Sequence, residues 1–521
     1  MKRLLPFILL LTVGVSFSLR LYGIFNNQPF WVDEFSSANQ ARYILKHGLS
    51  VFSNPHIYFE PHNITTHFLV AFFFKLFGQH EWSARLGFVI IGSFIPLAVF
   101  FLSRHIFTTK TAIVAALLTT FSYFEIVWSR QARGYILLQL LVLIVIFLYL
   151  KLTEKQYKPL SKSILFNLAI ILGVLTHSLF YLLLVTLIIH FILFNHPLFK
   201  IWVKKPWIYF VLFFLIAISY GTGFLKTLRA VNFLGFLQTN NFWYYHSFLW
   251  REYSLITFLG LAGLAMGFII NRKSVSLIIL YILTNLVFLS LFFRPYTSRY
   301  LLAIFPFILI GTAYAITYLS ELFIDSLNLK DQKFLHTSIP IILTLFIIAN
   351  GHKFVTKPKT FYSVNHDFRE IALVDYHQVY NVIKSKGHLE EKKTLVVDTW
   401  WDRLHWYLGQ DYQPAYTLRW ENDPGLINGL PKYTPFITNS KGEKIIPKTN
   451  DVHLVSTLLD LKKAMSRYPK GFIFIDDSSL PHDVIAFAET SLKKELYLDH
   501  YPLDDNPYSI WPATLYSWGI K

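Results

Sequence analysis

An α-helix needs about 20 apolar residues to cross the hydrocarbon core of a bilayer, and this chain repeats runs of roughly that length from its first residues to residue 352. They lie near 4–24, 84–103, 111–128, 133–150, 163–178, 179–195, 207–225, 255–270, 275–293, 300–320 and 337–352. In lipid, backbone polar groups are satisfied only inside a helix or a closed barrel, so such a chain is expected to fold as a polytopic α-helical membrane protein with about eleven spans. The basic start, Met1-Lys2-Arg3, followed by Leu4 to Leu21 is too long for a signal peptide and lacks a small-x-small cleavage site, so it reads as a retained first span.

Orientation follows from the Lys and Arg residues of the short loops. With the N-terminus in the cytoplasm, the inner loops hold Arg104 and Lys110; Lys151, Lys155, Lys158 and Lys162; Lys200, Lys204 and Lys205; and Arg272 and Lys273. Residues 25–83, 129–132, 226–254, 294–299 and everything after about 353 then lie outside. Counting the Phe-rich stretch 64–78 as a further span would break this alternation, so it is expected to lie in the outer interface. The net charge of +17 sits mostly in these loops, where anionic headgroups are its partner, and no basic stripe or zinc-finger spacing points to nucleic acid. The chain has no cysteine, which removes disulfides and thiolate metal sites.

Past Lys353 the apolar bias ends. Thr394–Asp398 and Gly471–Asp477 read as short buried strands ending in carboxylates, and Val455–Tyr468 and Val484–Leu496 as amphipathic helices. Residues 353–521 are therefore expected to form an extracytoplasmic α/β domain, beside a transmembrane domain over 1–352 with its first outer loop at 25–83. No glycine-rich phosphate loop accompanies the strands.

Chemistry-bearing residues gather at the outer ends of the spans. Trp31-Val32-Asp33-Glu34 opens the first outer loop, where paired carboxylates supply either a general base or the acidic first turn of a helix running to Lys46. Tyr58-Phe59-Glu60-Pro61-His62 adds a third carboxylate and a histidine, or is an ordinary solvated loop. Arg130, Arg133, Arg294 and Arg299 stand outside against the positive-inside bias, and their planar donor forks suit phosphate oxygens of a substrate or of phospholipid. His177, in Leu175-Thr176-His177-Ser178, ends a span without metal-ligand spacing around it. In the outer domain Asp398, Trp400, Trp401 and Asp402 are a strand end with aromatic residues, a sugar platform or simple packing. The loop 226–254, with Trp243, Tyr244, Tyr245 and Trp250, suits an interfacial helix or flap.

Taken in order, the acidic pair after the first span, Leu76-Phe77-Gly78-Gln79-His80-Glu81-Trp82-Ser83-Ala84-Arg85-Leu86, Ser129-Arg130-Gln131-Ala132-Arg133-Gly134-Tyr135, Thr176-His177, and Ser298-Arg299-Tyr300-Leu301-Leu302-Ala303-Ile304-Phe305-Pro306 resemble the bacterial membrane glycosyltransferases of the GT-C superfamily. The likeness is to its protein O-mannosyltransferase-like and lipid A aminoarabinose transferase branches, over roughly residues 4–320. The resemblance implies an inverting transferase of the cell membrane. A monosaccharide would pass from a polyprenyl-phosphate donor to a protein, lipid or glycan acceptor on the outer face. It puts the activating base at Asp33, with Glu34 beside it. Glu60 falls where the aminoarabinose transferase has a glutamate followed by lysine, but here Pro61 and His62 follow. Donor phosphate then falls to Arg133, Arg294 and Arg299, with Arg130 and His62 behind them, and Tyr135, His177 and Tyr300 are candidate substrate contacts. No cofactor is expected and no metal ligands are assigned, although more distant relatives with pyrophosphate-linked donors use a divalent ion. The competing class is a transporter or lipid flippase, which usually carries ionisable groups within its spans; here the polar residues gather at span ends.

Overall fold

The computed structural model describes residues 5–52, 63–153, 160–194, 240–293, 296–329, 331–360, 374–387, 393–409, 412–421, 436–438, 442–446, 452–476, 480–500 and 510–520, with a few single positions between them. The chain divides into two units. The first comprises Met1–Asn26, Pro61–Leu69 and Arg85–Thr360; the second comprises Asn27–Glu60, Val70–Ala84 and Phe361–Lys521. Much of the first outer loop thus groups with the C-terminal residues rather than with the spans.

Helices stand where the apolar runs predict them: α1 (Leu5–Leu21), α4 (Glu81–Ile106), α5 and α6 (Thr109–Phe121, Tyr123–Ser129), α7 (Tyr135–Leu152), α8 (Leu160–Thr176) and α9 (Phe180–Phe194). They continue as α10 (Phe242–Glu252), α11 (Ser254–Ile270), α12 (Arg272–Leu291), α13 (Phe305–Ser326) and α14 (Leu335–Asn350). The run at 207–225 lies outside the described residues. Among the described residues five helices are long and apolar enough to cross a membrane alone, and α10 and α11 form a further candidate bent by 104°. The Phe-rich stretch is helix α3 (Ile64–Phe77), and the first outer loop also holds α2 (Val32–His47).

Lipid offers little hydrophobic drive between helices, so close packing has to come from small residues. The α11–α13 crossing shows this directly. A Cβ at Gly263 would stand 1.9 Å from the Gly311 carbonyl oxygen, and one at Gly311 2.3 Å from that of Gly260. Thr312 Oγ1 stands within donating distance of the Ile256 carbonyl across the crossing, at 2.9 Å, and of the Ile308 carbonyl of its own helix, at 3.0 Å. Gly263→Val is expected to lower the thermal midpoint of detergent-solubilised protein by several degrees, consistent with an overpacking cost of about 1–3 kcal/mol. An unchanged midpoint would show that the backbones do not meet there.

The second unit holds an eight-stranded sheet in the order β3-β4-β5-β2-β1-β6-β8-β7. Strands β1 (Thr394–Asp398), β2 (Ala415–Leu418), β5 (His453–Val455) and β6 (Lys470–Ile475) are its parallel centre. Short β3 (Ile437–Thr438) and β4 (Lys444–Ile445) flank one side, and β7 (Lys493–His500) and β8 (Ile510–Trp518) pair antiparallel on the other. Leu395, Val397, Ile473 and Ile475 pack with Leu461 and Ala464 of α17 (Leu458–Arg467) and Val484 and Ala488 of α18 (His482–Ser491). Phe474 of β6 meets Tyr376 of α15 (Tyr376–Gly387), 6.2 Å between ring centroids. Two expected boundaries move. Val455 belongs to β5, and α17 starts after Thr457, whose Oγ1 accepts the Asp460 amide. The expected helix to Leu496 ends at Ser491, because Lys493–Leu496 pair with β8.

After running β1, β2, β5 outward, the chain returns to place β6 on the other side of β1. In open α/β sheets the strand ends at such a switch point form the usual ligand crevice. Here Arg403 of α16 (Trp401–Leu408) fills it, fully buried. Its Nε donates to Asp398 at 3.1 and 3.2 Å and its Nη1 to Asp476 at 2.6 Å. The guanidinium lies between the rings of Tyr376 and Phe474, 4.3 and 4.7 Å from their centroids. The strand-end carboxylates therefore serve as internal counterions.

Candidate functional site

In the first unit, several of the polar residues singled out above meet around the N-terminal end of α7. Gly134 precedes that helix, and a Cβ there would stand 2.5 Å from Thr66 Oγ1 and 3.3 Å from Thr176 Cγ2. Glycine thus lets the starts of α3 and α7 close on the end of α8, where Thr65 and Thr176 hydroxyls bond at 2.7 Å. Tyr135 is buried, its ring centroid 4.9 Å from that of His177 and 6.2 Å from that of Tyr300. The Arg299 guanidinium lies 5.6 Å from the Tyr135 ring and 5.7 Å from the Tyr300 ring. His177 Nδ1 accepts the Leu179 amide at 3.1 Å, which fixes the turn between α8 and α9.

An 18-residue helix presents unsatisfied amides and partial positive charge at its N-terminus. With Arg299 held between two tyrosines beside it, this end of the bundle is suited to an anion. Arg133 lies immediately before α7 and is partly exposed. Arg130 has a different task. Its Nη1 donates to the carbonyls of Arg20 (3.0 Å) and Tyr22 (2.6 Å), and its Nη2 to that of Thr360 (2.7 Å). It clamps the exit of α1, correcting the expectation of a phosphate contact. Arg294, Glu60 and His62 lie outside the described residues.

A buried polar group that the sequence reading missed lies within the same unit. Gln139 Nε2 donates to Glu125 Oε1 at 2.9 Å and to the Leu302 carbonyl at 2.6 Å. Arg20 Nη1 donates to Ser16 Oγ at 2.6 Å. All three are fully buried. The hydrogen bonds join α6, α7 and the start of α13 into one rigid frame.

In the second unit the acidic pair divides its labour. Glu34 is buried, and its Oε2 accepts the Trp31 amide at 3.0 Å while the Glu34 amide donates to the Trp31 carbonyl at 2.8 Å. Glu34 therefore caps α2, which corrects its assignment as a second catalytic acid, and partly exposed Asp33 sits one residue before it. Helix α2 is bolted to α16: Asn39 Nδ2 donates to the Asp402 carbonyl at 2.7 Å, and Arg42 Nη1 to that of Trp406 at 2.8 Å. Phe30 lies 4.9 Å from the Trp406 ring. Glu81 Oε1 accepts from His377 Nε2 at 2.9 Å and Trp406 Nε1 at 3.0 Å, tying the start of α4 to α15 and α16. The residues after β1 are packing: Trp400 lies under Arg419 at 3.6 Å, and Trp401 packs on Ile446 and Leu454. In the first unit, helix α10 carries Trp243, Tyr244, Tyr245 and Trp250. Buried Tyr245 stands within electrostatic reach of Tyr135, Arg299 and Tyr300. Among the described residues no cluster of His, Asp or Glu is placed to hold a metal ion.

The sequence model of the dolichyl-phosphate-mannose-protein mannosyltransferase family matches residues 61–221. No curated protein matches. Among solved structures, ArnT from Cupriavidus metallidurans in the apo state is similar over 98% of this chain and 97% of its own, at TM-score 0.56 and 13% identity. The same protein bound to undecaprenyl phosphate gives the same values. The archaeal oligosaccharyltransferase AglB from Archaeoglobus fulgidus, in complex with an inhibitory peptide and a dolichol-phosphate, is similar over 77% of this chain and 63% of its own, at TM-score 0.51 and 14% identity.

Proposed function

We propose that this chain, which has the GT-C fold of a multi-pass membrane protein with a C-terminal sheet region, is an inverting glycosyltransferase that moves a monosaccharide from a polyprenyl-phosphate donor to an acceptor hydroxyl on the outer face of the cell membrane. The observation that carries this reading is the arginine–tyrosine cluster at the N-terminus of α7, in a fold whose solved relatives hold undecaprenyl phosphate and dolichol phosphate. The acceptor oxygen attacks the anomeric carbon from the face opposite the phosphate, and its proton passes to Asp33. The bond from anomeric carbon to phosphate oxygen breaks with its electron pair, which leaves on the polyprenyl phosphate. That leaving group is already a competent anion. What it needs is fixed positive charge, supplied by Arg133, Arg299 and the α7 amides; Arg294 joins them by the sequence reading. With that charge in place no divalent ion or cofactor is called for. Tyr135 and Tyr300 flank Arg299, His177 packs on Tyr135, and the three border the sugar. The cytoplasmic N-terminus and outer C-terminal unit follow from the loop charges.

A flippase would use buried charge such as Arg20 and Glu125. Gln139 instead ties Glu125 to the Leu302 carbonyl, a crosslink that resists movement of one helix past another. Purified protein in liposomes, given a panel of polyprenyl-phosphate sugars with water and candidate acceptors, is expected to consume one donor. Arg299→Gln is expected to lower that turnover about 100- to 1,000-fold, the usual loss for one preorganised charge-stabilising donor, and Arg299→Lys to restore only part of it, since lysine lacks the planar fork. Lipid movement across the bilayer without donor cleavage would replace the enzyme with a flippase.

A further inference from the structure

The second unit contains a cleft that the reaction as derived does not use. It has a volume of about 360 Å³ and is lined by Arg42, Gln79, Glu81, His377, Lys384 and Trp406, among others. A second cleft of about 600 Å³ adjoins it, sharing Arg42, Gln79 and Trp406 and adding Lys46. Across both, three cationic side chains face one carboxylate, Glu81. The carboxylate is buried, with Oε1 already accepting from His377 and Trp406. The Arg42 guanidinium lies 3.6 Å from the Trp406 ring centroid. Burial, opposed by Glu81, pulls Arg42 down to about 10. Partial burial, with Arg42 adding to it, lowers Lys384.

Like charges from two elements do not gather at a half-buried aromatic floor for stability. Each raises the cost of the other, and a half-desolvated cation recovers that cost when an anion enters. The other lining groups are those that recognise sugars: amides at Gln79 and Asn381, an imidazole at His377, and the Tyr380 and Tyr407 rings, stacked 4.6 Å apart. Cations beside amides and aromatic faces describe an anionic saccharide better than a free ion or a peptide. We propose that this cleft binds the acceptor, and that the acceptor is a glycan carrying a phosphate or carboxylate group, held by Arg42 and Lys384 with its hydroxyls on Gln79, Asn381 and His377. The assignment as acceptor rests on the transferase reading; the binding of an anionic sugar does not.

The test is direct binding to the full-length protein in nanodiscs, by saturation-transfer NMR and calorimetry, without donor. The probes are glucose 1-phosphate, galacturonate and neutral methyl glucoside. Either anionic probe is expected to bind at least tenfold more tightly than methyl glucoside, and the stronger of the two identifies the anion. Lys384→Gln, at an exposed position, is expected to weaken that probe about tenfold, whereas Lys470→Gln on the exposed start of β6 leaves it unchanged. Arg42→Gln gives a larger loss, but it also removes a carbonyl clamp on α16, so Lys384→Gln decides. Equal binding of methyl glucoside, or full affinity in Lys384→Gln, would overturn the site. If the anionic probe binds as expected and no donor is ever turned over, the cleft stands and the transferase reading falls.

Discussion

Asp33→Asn is expected to reduce sugar transfer in liposomes about 100- to 10,000-fold, the range for losing a positioned general base, with donor lipid still bound. An acceptor hydroxyl is a poor nucleophile until something takes its proton, while the departing phosphate needs only positive charge. Asp33 and Glu34 are neighbours in sequence, but the fold gives them different surroundings. Glu34 is buried with its carboxylate on the Trp31 amide, so it closes the first turn of α2. Glu34→Gln keeps an oxygen for that amide and is expected to retain most of the activity, with a lower thermal midpoint. The pair of variants separates the two roles: equal loss of kcat in both, with folding intact, would remove Asp33 from the base role. Normal turnover by Asp33→Asn would leave the enzyme class standing and send the search to other carboxylates.

Why α2 holds still enough for this is answered from the far end of the chain. Asn39 and Arg42 on α2 reach the carbonyls of Asp402 and Trp406, more than 360 residues away. The C-terminal residues thus act as the mount of the loop that carries Asp33. Removing the C-terminal domain would then cost activity without removing any catalytic group.

The spans could be read from sequence because a bilayer imposes one length and one composition on every crossing. The short loops bearing Arg130, Arg133 and Arg299 stand out in the sequence for a related reason: they depart from the charge alternation of the other loops. Pairings over long separations left no local trace. Nothing near Glu81 announces His377 and Trp406, and nothing near Lys493–Leu496 announces β8, so the helical spacing of Val484, Ala488 and Leu492 runs on in the sequence into what is a strand. Arg130 shows the opposite error. Its loop position suggests a group free to meet phosphate, but the residue is buried and its guanidinium donates to three carbonyls.

Arg403→Leu is expected to unfold the C-terminal sheet unit or bring it to the edge of unfolding. Two carboxylates, Asp398 and Asp476, are buried at the ends of adjacent strands with this one guanidinium between them. Removing one partner of a buried ionic group leaves charge in a low dielectric, at a cost of about 3–5 kcal/mol, a large share of the roughly 5–15 kcal/mol that holds a domain together. Further donors to these acids, the hydroxyls of Thr399 and Tyr380 and the Trp400 amide, remain but carry no charge. Combining Arg403→Met with Asp398→Asn and Asp476→Asn removes every charge at once and is expected to recover most of the lost stability, because a well-packed neutral replacement of an entire buried ionic group is often no less stable. Thermal unfolding in detergent, followed by proteolysis to see which half is cut first, measures both. A single variant as stable as wild type would mean that water reaches the two aspartates, and the switch point would then be an open crevice able to take a ligand of its own.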